Sequence, residues 1–172
     1  MPEFYEVQRI KNYLLDTDIF NKDIVNITIP KLGERIFKSY PERCPKLFFI
    51  NNQIINIQTK AKYTLVRFRE GAMLMHYRFT GIPHVSGFTY KDKLKAIYSL
   101  PIDKQSHIRF KLEFKGTKSV FKYMDTRCLS HIHLSRTATT FDDFNSTKQL
   151  PQDINDYQIQ NYTDWKSSIS KS

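Results

Sequence analysis

Ile108-Arg109-Phe110-Lys111-Leu112-Glu113-Phe114, followed by Lys115-Gly116-Thr117-Lys118 and then Ser119-Val120-Phe121-Lys122-Tyr123-Met124, is the stretch that decides the fold. Apolar side chains at 108, 110, 112 and 114 alternate with Arg109, Lys111 and Glu113. That period of two places one set on a buried face and the other in solvent, the mark of a half-buried strand. The Lys-Gly-Thr-Lys segment then turns the chain back into a second strand. Upstream the same pattern recurs in Ile54–Thr59 and Lys62–Arg69, with Glu70-Gly71 as a tight hairpin turn into Ala72–Tyr77. Val25, Ile27 and Ile29 alternate with Asn26 and Thr28, which predicts a strand with those three apolar residues inward. Pro30 to Pro45 reads as a turn-rich connection with a short segment around Ile36-Phe37, and Gly81 to Gly87 as a loop broken by Pro83 and Gly87. Lys91 to Asp103 matches neither period. At the start, Phe4, Val7, Ile10 and Leu14 recur at helical spacing, predicting a helix over Glu3–Leu15 that ends at Asp16-Thr17-Asp18. No internal repeat is visible. The expectation is a mainly β domain with an N-terminal α-helix, arranged as an antiparallel sandwich or barrel.

With 172 residues the chain has room for one such domain, over 1–136. From Thr137 the composition turns to Ser, Thr, Asn, Gln and Asp, so 137–172 is read as a polar linker or tail, with a helix expected near Ile154–Ile159. No apolar run is long enough to span a membrane, and the N-terminus lacks a signal-peptide h-region. Two cysteines, Cys44 and Cys128, build neither a disulfide framework nor a zinc ribbon, and a reducing, intracellular setting is the simplest one. His131-Ile132-His133 would put two imidazoles on one strand face, but no third ligand is in sight, so no metal site is expected.

Charge narrows the function. The net charge is +10, and Ile57–Arg127 alone carries 15 Lys/Arg against 5 Asp/Glu. The remaining residues balance at 12 against 12. The basic stretch also holds Tyr63, Phe68, Tyr77, Phe79, Phe88, Tyr90, Phe110, Phe114, Phe121 and Tyr123. Basic residues interleaved with aromatics suit a polyanion, with nucleic acid first; a solvated basic surface and a module for single strands are the other readings.

Met1-Pro2-Glu3 adds a chemical element. If Met1 is removed, Pro2 becomes a secondary amine beside a carboxylate. An α-amino group titrates near about 8, well below lysine, and is the better nucleophile at neutral pH. A chance occurrence of these three residues is the bland alternative, and the rest of the chain decides between them.

Four elements occur in order: Met1-Pro2-Glu3 with Glu6-Val7, Ala61-Lys62-Tyr63, His76-Tyr77-Arg78-Phe79-Thr80-Gly81, and Tyr123-Met124-Asp125-Thr126-Arg127. Together, over roughly residues 1 to 135, they resemble the N-terminal domain of the formamidopyrimidine-DNA glycosylase / endonuclease VIII family. That resemblance implies a two-sheet β-sandwich and base-excision chemistry without a cofactor. It implies Pro2 as the nucleophile at C1′ of a damaged nucleotide, Glu3 as general acid/base, Glu6 as a further acid near the helix start, and Lys62 as a phosphate contact that assists the chemistry. It implies Arg127 as the side chain that fills the gap left by a flipped nucleotide, with Phe79 and Leu129 as wedges. His76, Arg78, Gln105 and His107 join them as DNA contacts.

Several positions depart from the family pattern. Tyr5 replaces a second proline, Phe79 a methionine, and Thr126, Cys128 and Ser130 the usual Pro, Arg and Gly; Gln105 stands near a family histidine, with His107 close by. In the family a helical domain and a zinc or zincless finger follow, and Leu150–Ser172 is too short and too polar to supply them. The expectation is therefore a glycosylase/AP lyase with residual activity on abasic sites and weak activity or none on intact lesions, acting on double-stranded DNA with an oxidised base or abasic site. A non-catalytic DNA-binding module, or one half of a split enzyme completed by a second chain, is the alternative.

Overall fold

The computed structural model describes residues 4–41, 44–90 and 104–146. Its elements are α1 (Phe4–Leu15), β1 (Ile24–Thr28), a 3-10 turn (Lys31–Ile36), β2 (Phe37–Ser39), α2 (Pro45–Phe49), β3 (Ile54–Lys60), β4 (Tyr63–Phe68), β5 (Ala72–His76), β6 (Ile82–Val85), a 3-10 turn (Gln105–His107), β7 (Ile108–Phe114), β8 (Val120–Met124), β9 (His131–Ser135) and α3 (Phe141–Ser146). The expectations for Lys91–Asp103 and Ile154–Ile159 lie outside the described residues.

Two sheets form, ordered β1-β7-β8-β6 and β2-β9-β5-β4-β3. Their facing sides enclose one large apolar core. Phe110 of β7 sits in an aromatic cluster within it, with ring centroids 5.4 Å from Phe37 and Tyr123, 5.7 Å from Phe121 and 5.8 Å from Phe49. The helix α1 lies against β3, β4 and β6, at the side where the edge strands of the two sheets, β3 and β6, run. Val7, Ile10 and Leu14 are buried as the 3.6-residue period predicted, and Tyr13 joins them on that face. Long-range bonds fix its orientation: Gln8 Nε2 donates to Thr59 Oγ1 at 2.5 Å, the Val85 N–H donates to Tyr13 Oη at 2.8 Å, and Tyr13 Oη in turn donates to Val85 O at 3.2 Å.

The hairpin β4–β5 turns at Glu70-Gly71 as expected, with the Phe68 N–H bonded to Gly71 O at 2.9 Å. Gly71 has φ 83°, and a Cβ there would stand 2.1 Å from Ser135 O, so both conformation and space require glycine.

Four expectations need correction. Val25 points outward, 51% exposed, while Ile24 and Ile27 are buried; a bulge between Ile24 and Asn26 shifts the alternation by one residue. Gly81–Gly87 is not wholly loop. Ile82–Val85 is a strand, and Pro83 is tolerated because β6 is an edge strand, where a missing N–H costs little. Arg109 does not face solvent: it is 3% exposed, and its guanidinium donates to Asp125 O and Thr126 O. Among the described residues the sandwich is antiparallel except for one pair, because β2 runs parallel to β9.

The polar stretch after Thr137 begins with packed structure. Thr140 caps α3 as half of a capping box: the Asp143 N–H donates to Thr140 Oγ1 at 3.2 Å and the Thr140 N–H to Asp143 Oδ2 at 2.7 Å. Hydrogen bonds from the Thr139 N–H, then from the Thr140 N–H and hydroxyl, hold the Asp143 carboxyl below its ordinary value. Phe144 is fully buried and packs with Ala138 on Tyr63, Leu65, Ala72 and Leu74, the outer face of the five-stranded sheet. Phe144→Ala should cost about 3 kcal/mol of unfolding free energy, since it removes a buried aromatic and leaves a cavity over β4 and β5. Chemical denaturation of the two proteins measures it, and an unchanged midpoint would mean that α3 contributes nothing to the fold.

Candidate nucleic-acid interface

The register brings three loops to one end of the sandwich. In the five-stranded sheet, Tyr63 pairs with His76 and His76 with His131. The turn at Ala61-Lys62, the loop after His76 and the loop before His131 therefore share an end. In the four-stranded sheet, Ile82 and Ile108 both pair with Met124, so the loops entering β6 and β7 and leaving β8 lie at the matching end. The Asp125 N–H donates to His107 O at 2.9 Å, which joins the Gln105–His107 turn to this set.

Eight of the residues singled out in the sequence thus gather together. Lys62 is half-buried in the β3–β4 turn, beside Ala61 with φ 50°. His76 is buried against the Tyr63 ring at 4.6 Å. Arg78 approaches His131 Nδ1 at 3.4 Å. Phe79 and Leu129 are 52% and 41% exposed, on the loops that also carry Arg78 and Arg127. Arg127 and Gln105 are exposed, with Gln105 accepting a 3.0 Å bond from Lys111 Nζ, and His107 is half-buried. Pro2 and Glu3 lie outside the described residues. What the structure gives instead is the anchoring of α1, which starts at Phe4 and is tied through Gln8 to Thr59, three residues before Lys62.

The electrostatics favour an anion. Burial, then Arg78, His131, Lys62 and His133, push the His76 imidazole down to about 4. Burial, then His131 and Lys38, do the same to His133, also to about 4. His131 is lowered by burial and by Arg78 and Lys38. At neutral pH these rings are uncharged donors and acceptors inside a cationic field. His131 and His133 do share a sheet face, but His133 Nδ1 is 3.0 Å from Ser39 Oγ, and no group of three His, Cys, Asp or Glu residues suited to a metal occurs among the described residues.

Sequence reading missed the polar groups underneath. Asp125 is fully buried. Its carboxylate accepts from the Thr80 hydroxyl, from the Arg127 N–H at 3.1 Å and from the Ser130 N–H at 2.8 Å. The bond to the N–H two residues on is an Asx-turn, and an Asp opening a turn was the one signal available. Ser130 Oγ donates to Tyr77 O at 3.2 Å. Gly81 fits this packing because it has no side chain: a Cβ would stand 2.3 Å from Ser130 Oγ and 2.4 Å from Tyr123 Oη. Gly81→Ala should therefore destabilise the fold by about 1–3 kcal/mol through overpacking, read as a lower melting temperature; an unchanged one would show that Ser130 and Tyr123 give way freely.

Comparison with known proteins gives a consistent picture. The family model of the formamidopyrimidine-DNA glycosylase N-terminal domain matches residues 1–132. Among solved structures, the chain is similar to MutM in complex with carbocyclic 8-oxo-G containing DNA, at 19% identity and a TM-score of 0.64, covering 86% of this chain and 49% of that one. It is similar to Lactococcus lactis Fpg with abasic site containing DNA at 18% identity, with the same TM-score and coverage of 86% and 49%. At these identities the likeness is one of fold, and the chain spans about half the length of these solved relatives. None of the curated proteins compared with it matches.

Proposed function

This chain belongs to the formamidopyrimidine-DNA glycosylase family through its N-terminal domain, and from that premise we propose that it acts in base excision on double-stranded DNA, with an AP-lyase step carried by the Pro2 amine. The observation that carries the reading is the gathering of Lys62, His76, Arg78 and Arg127 with the exposed apolar side chains of Phe79 and Leu129 at one end of the sandwich. Cations hold phosphates on either side of a lesion, and apolar wedges occupy the space of an extruded nucleotide.

The chemistry follows from a secondary amine. At an abasic site the Pro2 nitrogen adds to C1′ of the open aldehyde, and loss of water gives an iminium. That ion is cationic without taking up a further proton. It draws electrons from the C2′–H bond when a base removes the proton, and the 3′ phosphate departs with the C3′–O electron pair. On an intact lesion the same nitrogen displaces the base at C1′. Glu3 is the group proposed to move protons at the sugar, and Lys62 to hold the adjoining phosphate. No cofactor is required. The published relatives named above are bound to lesion-bearing or abasic-site DNA, and such DNA is the proposed substrate here, with base recognition shared by further protein segments or a second chain.

The test uses the 172-residue chain and a duplex with one abasic site, mixed in the presence of borohydride. A covalent protein–DNA adduct on a denaturing gel supports the lyase. Intact binding of the duplex with no adduct leaves a DNA-binding module without catalysis.

A further inference from the structure

The two loops that present Phe79 and Leu129 have a common construction. In each, the residue just before the exposed apolar side chain is left-handed: Arg78 has φ 52° and Cys128 φ 53°. Neither is a glycine, so each conformation persists only where neighbouring bonds enforce it. Those bonds converge on one group. Asp125 takes the Thr80 hydroxyl from the first loop and the Arg127 and Ser130 N–H groups from the second. The Arg127 N–H also reaches Thr80 Oγ1 at 3.4 Å, and Ser130 Oγ returns to Tyr77 O at 3.2 Å. From below, Arg109 grips the Asp125 and Thr126 carbonyls, which holds the backbone that carries the carboxylate.

We propose that Asp125 is a positioning residue that ties the 77–81 and 126–130 loops into one rigid wedge, so that Phe79, Arg127 and Leu129 enter a DNA duplex together rather than separately. Asp125 touches no DNA itself. It acts through Thr80 and through the backbone of Arg127 and Ser130. A carboxylate suits this place because three donors point at it and an acceptor-only group can serve them all. An amide cannot: Asp125→Asn turns one acceptor into a donor facing a donor. The inference rests on the DNA-lesion reading above and adds to it how the insertion is organised.

The experiment uses the 172-residue chain and a duplex that carries a tetrahydrofuran abasic analogue opposite 2-aminopurine. Fluorescence of 2-aminopurine reports unstacking of the opposite base by the wedge, and anisotropy of an end label reports binding. Thr80→Val removes the cross-loop hydroxyl at a half-buried position and leaves the Asp125 turn in place. It should reduce the unstacking equilibrium about tenfold or more, the worth of one hydrogen bond to a charged group, with binding close to wild type and the domain still folded. Thr80→Ser keeps the hydroxyl and should restore the signal. Asp125→Asn should reduce it further; if that variant fails to fold, the Thr80 pair still decides. Wild-type fluorescence in folded Thr80→Val overturns the proposal, as does a loss that merely tracks a lower melting temperature or that Thr80→Ser does not restore. If the wild-type chain binds the duplex without any unstacking, the wedge reading itself falls and the proposal with it; if it does not bind, the DNA reading falls first.

Discussion

One extra N-acetylated residue placed ahead of Pro2 is expected to remove the borohydride-trapped adduct almost completely, because it leaves no free α-amine. The added peptide bond turns the Pro2 nitrogen into an amide, whose lone pair is delocalised into the carbonyl and no longer attacks an aldehyde. Lysines do not replace it. At pH 7 about one ordinary α-amine in seven is uncharged, against fewer than one lysine in about a thousand, so adduct formation should fall by at least about 100-fold. The acetylated extension removes only the terminal amine's charge and leaves the Lys and Arg side chains in place, so DNA binding should change little. Measuring both quantities on one preparation separates lost chemistry from lost binding. An adduct that forms at the wild-type rate on the extended chain would assign the nucleophile to another amine and remove Pro2 from the mechanism.

Acidification should destabilise the domain between about pH 6.5 and pH 4. In the unfolded chain an imidazole takes up a proton near pH 6.5. In the folded chain His76 and His133 do so only at about 4, because burial and the cations around them oppose a further positive charge. Across that interval the unfolded state binds more protons, so lowering the pH favours unfolding. The stabilisation is complete above about pH 6.5 and is lost as the pH falls through the folded values. Either ring alone corresponds to about 3 kcal/mol over the full interval. Asp18 and Asp143 are lowered instead, by hydrogen bonds from Thr117 and from Thr139 and Thr140, and their contribution disappears only below the ordinary carboxylate range. Urea unfolding at pH 7 and pH 4.5 measures the loss. Replacing both rings, His76→Gln with His133→Gln, should flatten the profile in this window; a slope as steep in the double variant would place the proton uptake elsewhere.

The strand Ile108–Phe114 could be read from its period because its four apolar residues all face one core. Where reading failed, a tertiary effect had overridden a local one. The bulge in β1 exchanges Val25 for Ile24, and no residue in Ile24–Thr28 announces it. Arg109 looks like a solvent-facing partner of Lys111 until the Asp125 and Thr126 carbonyls are seen to bind it. Phe144 was hidden by the polar residues around it, although Thr140 and Asp143 spell a helix start. The candidate interface was legible at Lys62, His76, Arg78 and Arg127 because short motifs lie at strand ends. Asp125 and Thr80 were not, since their bond joins residues 45 positions apart and only the β6–β8 pairing makes them neighbours.

The parallel pairing of β2 with β9 bears on the order in which the domain forms. β2 at Phe37–Ser39 is completed by β9, with Ser39 and His133 94 positions apart in the chain. Closing so long a connection is slow, and contacts of this separation place a protein among the slower folders. Until β9 arrives, β5 has a bare edge, with Met73, Leu74 and Met75 beside unpaired backbone groups. A nascent chain emerging from the ribosome holds the β3–β4–β5 meander in that state for about 60 residues of synthesis. A bare apolar edge is where chains adhere to one another, so His131–Ser135 protects the domain from aggregation as well as finishing its sheet.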